Sequence, residues 1–162
     1  MDADEFTTTL TKHLDKQARK WQPQVAVRAP ELGIDYHYGQ EDLPFHSASV
    51  GKLAPTALIM QLIEQGTVTL DTRVSSVLEP DLLQGIFMDE RLDEVTIEHL
   101  LFHTSGANDY FNGRTKGPTV AEIAVADLHR RWTPSSLLAH SREHQKPVGA
   151  PGQRFFYSDT GF

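Results

Sequence analysis

Apolar residues recur every four positions at Phe6, Leu10, Leu14 and Ala18, the spacing that places them on one face of a helix. Asp2, Asp4 and Glu5 precede this face and Lys16, Arg19 and Lys20 follow it, so the side-chain charges complement the helix dipole at both ends. The period then drops to two. Val25 and Val27, then Ile34, Tyr36 and Tyr38, alternate with polar neighbours around a turn holding Pro30 and Gly33, which predicts a β-hairpin. From Leu53 to Ile63 the chain is apolar almost without a break and stops at Gly66, a good C-terminal cap, which predicts a buried helix. Pro55 removes one helix hydrogen bond there and predicts a kink or an irregular start.

Beyond Gly66 the pattern breaks into short helices, each with its own start signal. Thr96 can cap Ile97 to Phe102, Thr119 can cap Val120 to Leu128, and Thr133 followed by Pro134 opens a helix reaching about His144. A loop rich in Pro and Gly, Pro147 to Gly152, leads into Arg154 to Tyr157. The expected class is α/β of the α+β type: an N-terminal helix and hairpin over 1–45 and a mostly helical part over 46–162. An isolated two-stranded hairpin is marginal in water. We therefore expect further strands of an antiparallel sheet beyond residue 162, with this chain an N-terminal portion of a single catalytic unit.

Composition narrows the function. The chain has 162 residues with 39% apolar and 23% charged side chains, the balance of a globular domain. Its net charge is −7 and no stretch gathers Lys and Arg into a phosphate-tracking stripe, so nucleic acid is a poor partner. Without Cys there is no disulfide framework, thiolate zinc site or cysteine nucleophile. The acidic start MDADEF is unlike a secretory signal, which slightly favours the cytoplasm. No apolar stretch approaches the ~20 residues that span a bilayer.

The strongest chemical signal is Phe45-His46-Ser47-Ala48-Ser49-Val50-Gly51-Lys52. Ser49 opens the apolar helix and Lys52 follows one turn later on the same face. A serine hydroxyl is a weak nucleophile until a base takes its proton, and a partly buried Lys of lowered pKa can do so when neutral. The helix N-terminus adds backbone N–H groups that favour charge developing on an attacked carbonyl oxygen. Nine Ser and six Lys in 162 residues would produce this spacing by chance in about one chain of three, so the spacing alone does not separate a nucleophile from a capping Ser beside a solvated Lys.

Four ordered stretches change that balance. Phe45 to Lys52 resembles the Ser-x-x-Lys segment of the serine β-lactamases and penicillin-binding proteins, in particular the class C β-lactamase-like hydrolases and esterases. Ile59 to Gly66 with Leu70-Asp71, and Val95-Thr96-Ile97-Glu98-His99-Leu100-Leu101-Phe102-His103-Thr104-Ser105-Gly106, are similar to the family's next two stretches. Pro151-Gly152 through Phe155-Phe156-Tyr157-Ser158-Asp159-Thr160 resembles its Tyr-x-Asn segment. The resemblance implies Ser49 as the acylated nucleophile, Lys52 as its proton acceptor and Tyr157 as the phenol that shares protons with Lys52 and passes one to the leaving group. It implies hydrolysis of a small-molecule ester or amide (a lactam, a D-amino-acid peptide or a carboxylic ester), with no metal and no organic cofactor.

The sequence departs from that pattern at Asp159, where an amide that can donate is replaced by a carboxylate that accepts. Its contact with substrate or Lys52 is the exposed point of the assignment, and the exchange favours an ester or peptide over a lactam. The family's third motif, Lys or His then Thr or Ser then Gly on a sheet-edge strand, is not within these residues, from which we expect the 162-residue chain to be nearly inactive alone. Rival readings are a non-catalytic binding or sensor module of the same fold and a zinc hydrolase using His140, Glu143 and His144, which match H-x-x-E-H. His99 and His103 also have ligand-like spacing. Ser47-x-Ser49-x-Gly51 resembles the nucleophile elbow of α/β-hydrolases, a scheme that leaves Lys52 without a role.

Overall fold

Asp2 caps the first helix, its carboxylate accepting the Glu5 N–H at 2.8 Å, and α1 runs Ala3–Gln17. The structure is a computed structural model, and it describes residues 2–40 and 42–162. Strands β1 (Val25–Ala29) and β2 (Ile34–Tyr38) pair antiparallel through a tight 3-10 turn at Pro30–Leu32. Gly33 closes that turn at φ +66°, the left-handed conformation that glycine adopts without a Cβ penalty. The register sets Val25 opposite Tyr38, Val27 opposite Tyr36 and Ala29 opposite Ile34. These alternate residues share one face, and α1 covers it: Leu14, Ile34 and Tyr36 form a buried cluster with Phe6, Leu10 and Val27 against them. Two long-range polar contacts fix the helix on the hairpin, Thr11 Oγ1 to Tyr36 Oη at 2.8 Å and Tyr38 Oη to Asp15 at 2.8 Å. This is one of two compact units, Met1–Ala48.

The second unit, Ser49–Phe162, is helical and loop-rich. A 3-10 turn over Ala48–Lys52 runs directly into α2 (Leu53–Glu64). Pro55 is the third residue of α2, where the missing N–H has no partner to lose, so the expected irregular start takes the form of that 3-10 turn. Four further helices follow: α3 (Pro80–Leu83), α4 (Ile97–Leu101), α5 (Val120–Ala126) and α6 (Pro134–His144). Thr96, Thr119 and Thr133 each accept the N–H three residues on, as expected of caps.

The core of this unit forms among the short elements. Val74, Leu83, Ile86, Phe87, Val95 and Ala107 are buried together, with Leu92, Leu100 and Leu138 packed against them. The expectation that the 53–63 helix is buried is not met. No residue of α2 is buried, and Leu53, Leu58 and Met60 are exposed. Only a stripe of Thr56, Ile59 and Ile63, continuous with Lys52, is half-buried. An apolar run reports an affinity for cover, and the core took its contacts from the turns at 74, 83–87 and 95 instead. No helix among the described residues is long and apolar enough to cross a membrane.

Candidate active site

Ser49 and Lys52 lie on the 3-10 turn that leads into α2, where residues three apart sit one above the other. Ala48, just before the serine, has φ +46°, a left-handed backbone uncommon for a residue with a Cβ. The turn presents an exposed Ser49 hydroxyl, and Tyr157 meets it: Ser49 Oγ and Tyr157 Oη are 2.6 Å apart across 108 positions of sequence.

Lys52 turns to the same phenol. Its Nζ lies 5.1 Å from the centre of the Tyr157 ring and 5.7 Å from that of Phe162, and it is ion-paired and hydrogen-bonded with the Asp159 carboxylate. Partial burial pulls the Lys52 pKa down, but hydrogen bonds to Asp159 and Tyr157 and their charges outweigh it, leaving the ammonium above its ordinary value. The expectation of a lowered Lys52 pKa is therefore corrected. The reason is the carboxylate at 159, which stabilises the cation that an amide would not.

The Tyr157–Asp159 segment is held from behind. Ser158 is fully buried and its hydroxyl donates to the Asn108 carbonyl at 2.7 Å. The Asp159 N–H donates to the buried Asp109 carboxylate at 3.1 Å, and the same carboxylate accepts from Phe111 and Asn112 N–H, so it ties loop and segment together. His103 completes the support. Its carbonyl accepts the Phe156 N–H at 2.8 Å, its Nδ1 accepts the Ser158 N–H at 3.3 Å, and its ring stacks on Tyr157 with centroids 4.5 Å apart. Burial and then the Lys52 charge push the His103 pKa below its usual value, which favours the neutral ring that can accept.

The structure thus brings together Ser49, Lys52, Tyr157 and Asp159. Asp109 and the ring role of His103 were not read from the sequence. His103 lay inside a quoted motif, but the motif does not say which way a ring points when its backbone has φ +54°. The zinc candidates serve other ends. His99 Nδ1 accepts the Thr96 N–H as part of the α4 cap. His140 is buried edge-on to Trp132, its ring 4.8 Å from that of His144, and His144 lies 3.7 Å from Glu143. Among the described residues no group of three or more His, Cys, Asp or Glu gathers to hold a metal ion. The elbow reading lacks its strand, since residues 43–47 before the serine have no regular structure.

Known proteins with the same features fall into one group. A D-stereospecific amidohydrolase from Streptomyces sp. superposes on 80% of this chain with a TM-score of 0.62 and 26% identity, and 38% of that structure is covered. Penicillin-binding protein 4 of Amycolatopsis lactamdurans is 43% identical over 103 residues, 61% of this chain and 26% of the relative. An acyltransferase of Monascus pilosus is 40% identical over 83 residues, 44% of this chain and 20% of the relative. The chain therefore spans a fifth to a quarter of the length of these curated relatives. The Beta-lactamase family model matches residues 8–162, nearly the whole sequence, and its mixed α/β architecture is the one described above. With a serine, lysine and tyrosine gathered at one place and a family match of that extent, the chain belongs to the beta-lactamase family.

Proposed function

We propose that residues 46–162 carry an acyl-serine site acting on a small-molecule ester or amide. Ser49 is the nucleophile. Tyr157, as phenolate, takes the Ser49 proton while Oγ bonds to the substrate carbonyl carbon. Collapse of the tetrahedral adduct breaks the bond to the leaving group, which departs with the proton returned by Tyr157. Water, or another hydroxyl compound, then takes the acyl group from Ser49 by the reverse sequence. Lys52 supplies the cation beside the phenol, since a phenol ordinarily titrates near ~10 and an adjacent ammonium favours its anion. Asp159 keeps that cation charged.

The single observation that carries this reading is the 2.6 Å contact between Ser49 Oγ and Tyr157 Oη, with Lys52 at the same ring. Relatives named for acyl transfer and for amide hydrolysis support it at the level of chemistry, since both reactions move an acyl group. Asp159 offers an acceptor where a substrate amide carbonyl would need a donor, which favours ester or peptide substrates over lactams. The test is covalent labelling of the intact protein with a fluorophosphonate, followed by peptide mass spectrometry. An adduct on Ser49, absent from Ser49→Ala, is expected. Saturable binding of ester or penicillin with no adduct on any serine would replace the enzyme with a binding module.

A further inference from the structure

A second concavity lies behind the Tyr157 segment, between the 108–116 loop and the C-terminal end of α6. Its volume is about 820 Å³, within the range of small-molecule sites. Arg114, Lys116, Lys146 and Arg154 line it, and no Asp or Glu does, in a chain whose net charge is −7. Among the described residues none of these four cations is paired with a carboxylate; Arg154 donates only to the Val148 carbonyl, at 2.6 Å. The remaining wall includes Phe156 and Val148, which are apolar.

The walls are fixed in place. The buried Asn108 amide donates to the carbonyls of Arg114 and Lys146 at 3.1 and 3.0 Å, and the Lys116 N–H donates to the His144 carbonyl at 2.9 Å. Three of the cations are thus presented by backbone tied across the opening of the cavity. Like charges around one concavity with low-dielectric walls repel one another and focus a positive field into it, and a bound anion relieves both. The apolar wall adds a preference for an anion that carries hydrocarbon.

From this we infer that the cavity lined by Arg114, Lys116, Lys146, Arg154 and Phe156 binds an organic oxyanion, a carboxylate or phosphate on an apolar body. It is separate from the Ser49 hydroxyl: Asn108 and Phe156 line the cavity, while their chain neighbours Asp109 and Tyr157 serve the catalytic side.

The experiment is calorimetric titration of the intact protein with phenyl phosphate, benzoate and inorganic phosphate at low ionic strength. One saturable site for at least one aryl anion is expected, bound about tenfold or more tighter than inorganic phosphate. The Arg114→Ala/Lys146→Ala double variant should bind it about 10- to 100-fold more weakly, while fluorophosphonate labelling of Ser49 stays at the parent rate and shows that the fold is intact. The better of benzoate and phenyl phosphate identifies the oxyanion. Absence of saturable binding up to ~10 mM, unchanged affinity in the double variant, or inorganic phosphate bound as tightly as both aryl anions would each overturn the inference.

Discussion

The imidazole of His103 lies flat against the ring of Tyr157, planes inclined by 29°, and its Nδ1 accepts the N–H of the residue after that tyrosine. Acceptance requires an unprotonated Nδ1, and burial followed by the nearby Lys52 charge lowers the His103 pKa in the fold, with Asp159 and Asp109 opposing. A histidine lowered on folding contributes stability that is complete above its unfolded pKa and is lost as pH falls through the folded value. Below about 6.5 the unfolded chain binds the proton first, so stability falls with acidification, and in the fold the Ser158 contact breaks when His103 finally protonates. We predict an acid limb in the acylation rate that His103→Asn flattens, together with a rate about tenfold lower at neutral pH. A pH–rate profile with a p-nitrophenyl ester checks it; an acid limb identical in the variant assigns the titration to another group.

Asp159→Asn removes the carboxylate that holds Lys52 charged. Burial remains, and it acts to lower the lysine. A raised lysine gives stability that is present below its unfolded pKa of 10.5 and is lost as pH rises through the higher folded value. The variant should therefore lose about 1–2 kcal/mol at pH 7, since both partners are largely but not wholly shielded from solvent. Its alkaline activity limb should move to lower pH. Urea denaturation and the same ester assay measure the two effects, and an unmoved alkaline limb would show that Asp159 does not govern Lys52.

The parts of this molecule that were legible in the sequence are those specified locally. The α1 stripe, the hairpin with its Gly33 turn and the threonine caps at 96, 119 and 133 are each decided within a few residues. The Ser49–Lys52 turn was legible for the same reason, and Tyr157 through its resemblance to a known motif. Lys52 was misjudged because its pKa depends on a residue 107 positions away, and burial alone points the other way. The exposed state of α2 was misread because apolar periodicity does not name what covers it. The core residues Val74, Phe87 and Val95 lie in or beside turns, where no period marks them. Asp109 escaped because a carboxylate that accepts three backbone N–H groups looks in sequence like any loop aspartate.

Gly106 is a point where the backbone leaves no room. Its φ is +81°, and a Cβ there would fall onto the Gly149 carbonyl, on a stretch tied to it by the Val148 N–H to Gly106 carbonyl bond of 2.9 Å. Gly66 has a similar φ of +71° with nothing within 4 Å of a Cβ. Gly66→Ala should therefore lose only the conformational part, about 1 kcal/mol, while Gly106→Ala loses that and the clash, about 3 kcal/mol or more. Urea midpoints read the difference. Equal losses would mean that the 147–152 loop can move aside freely.

Tyr157→Phe isolates proton transfer from structure. The phenylalanine ring retains the stack on His103, and the lost hydrogen bond joins an exposed serine to a tyrosine that is 39% exposed, so stability should change by less than about 1 kcal/mol. The Ser49 hydroxyl keeps its place on the 3-10 turn but has no phenolate to receive its proton, and general-base assistance of this kind is worth about 10²–10⁴-fold in rate. Lys52, held as ammonium by Asp159, offers no lone pair to take over. Fluorophosphonate labelling and ester hydrolysis should therefore both slow by about that factor while the urea midpoint stays near the parent. If the variant instead kept its rate and raising the pH accelerated it further, the proton would be passing to a neutral Lys52, and Tyr157 would be a neighbour of the chemistry without taking part in it.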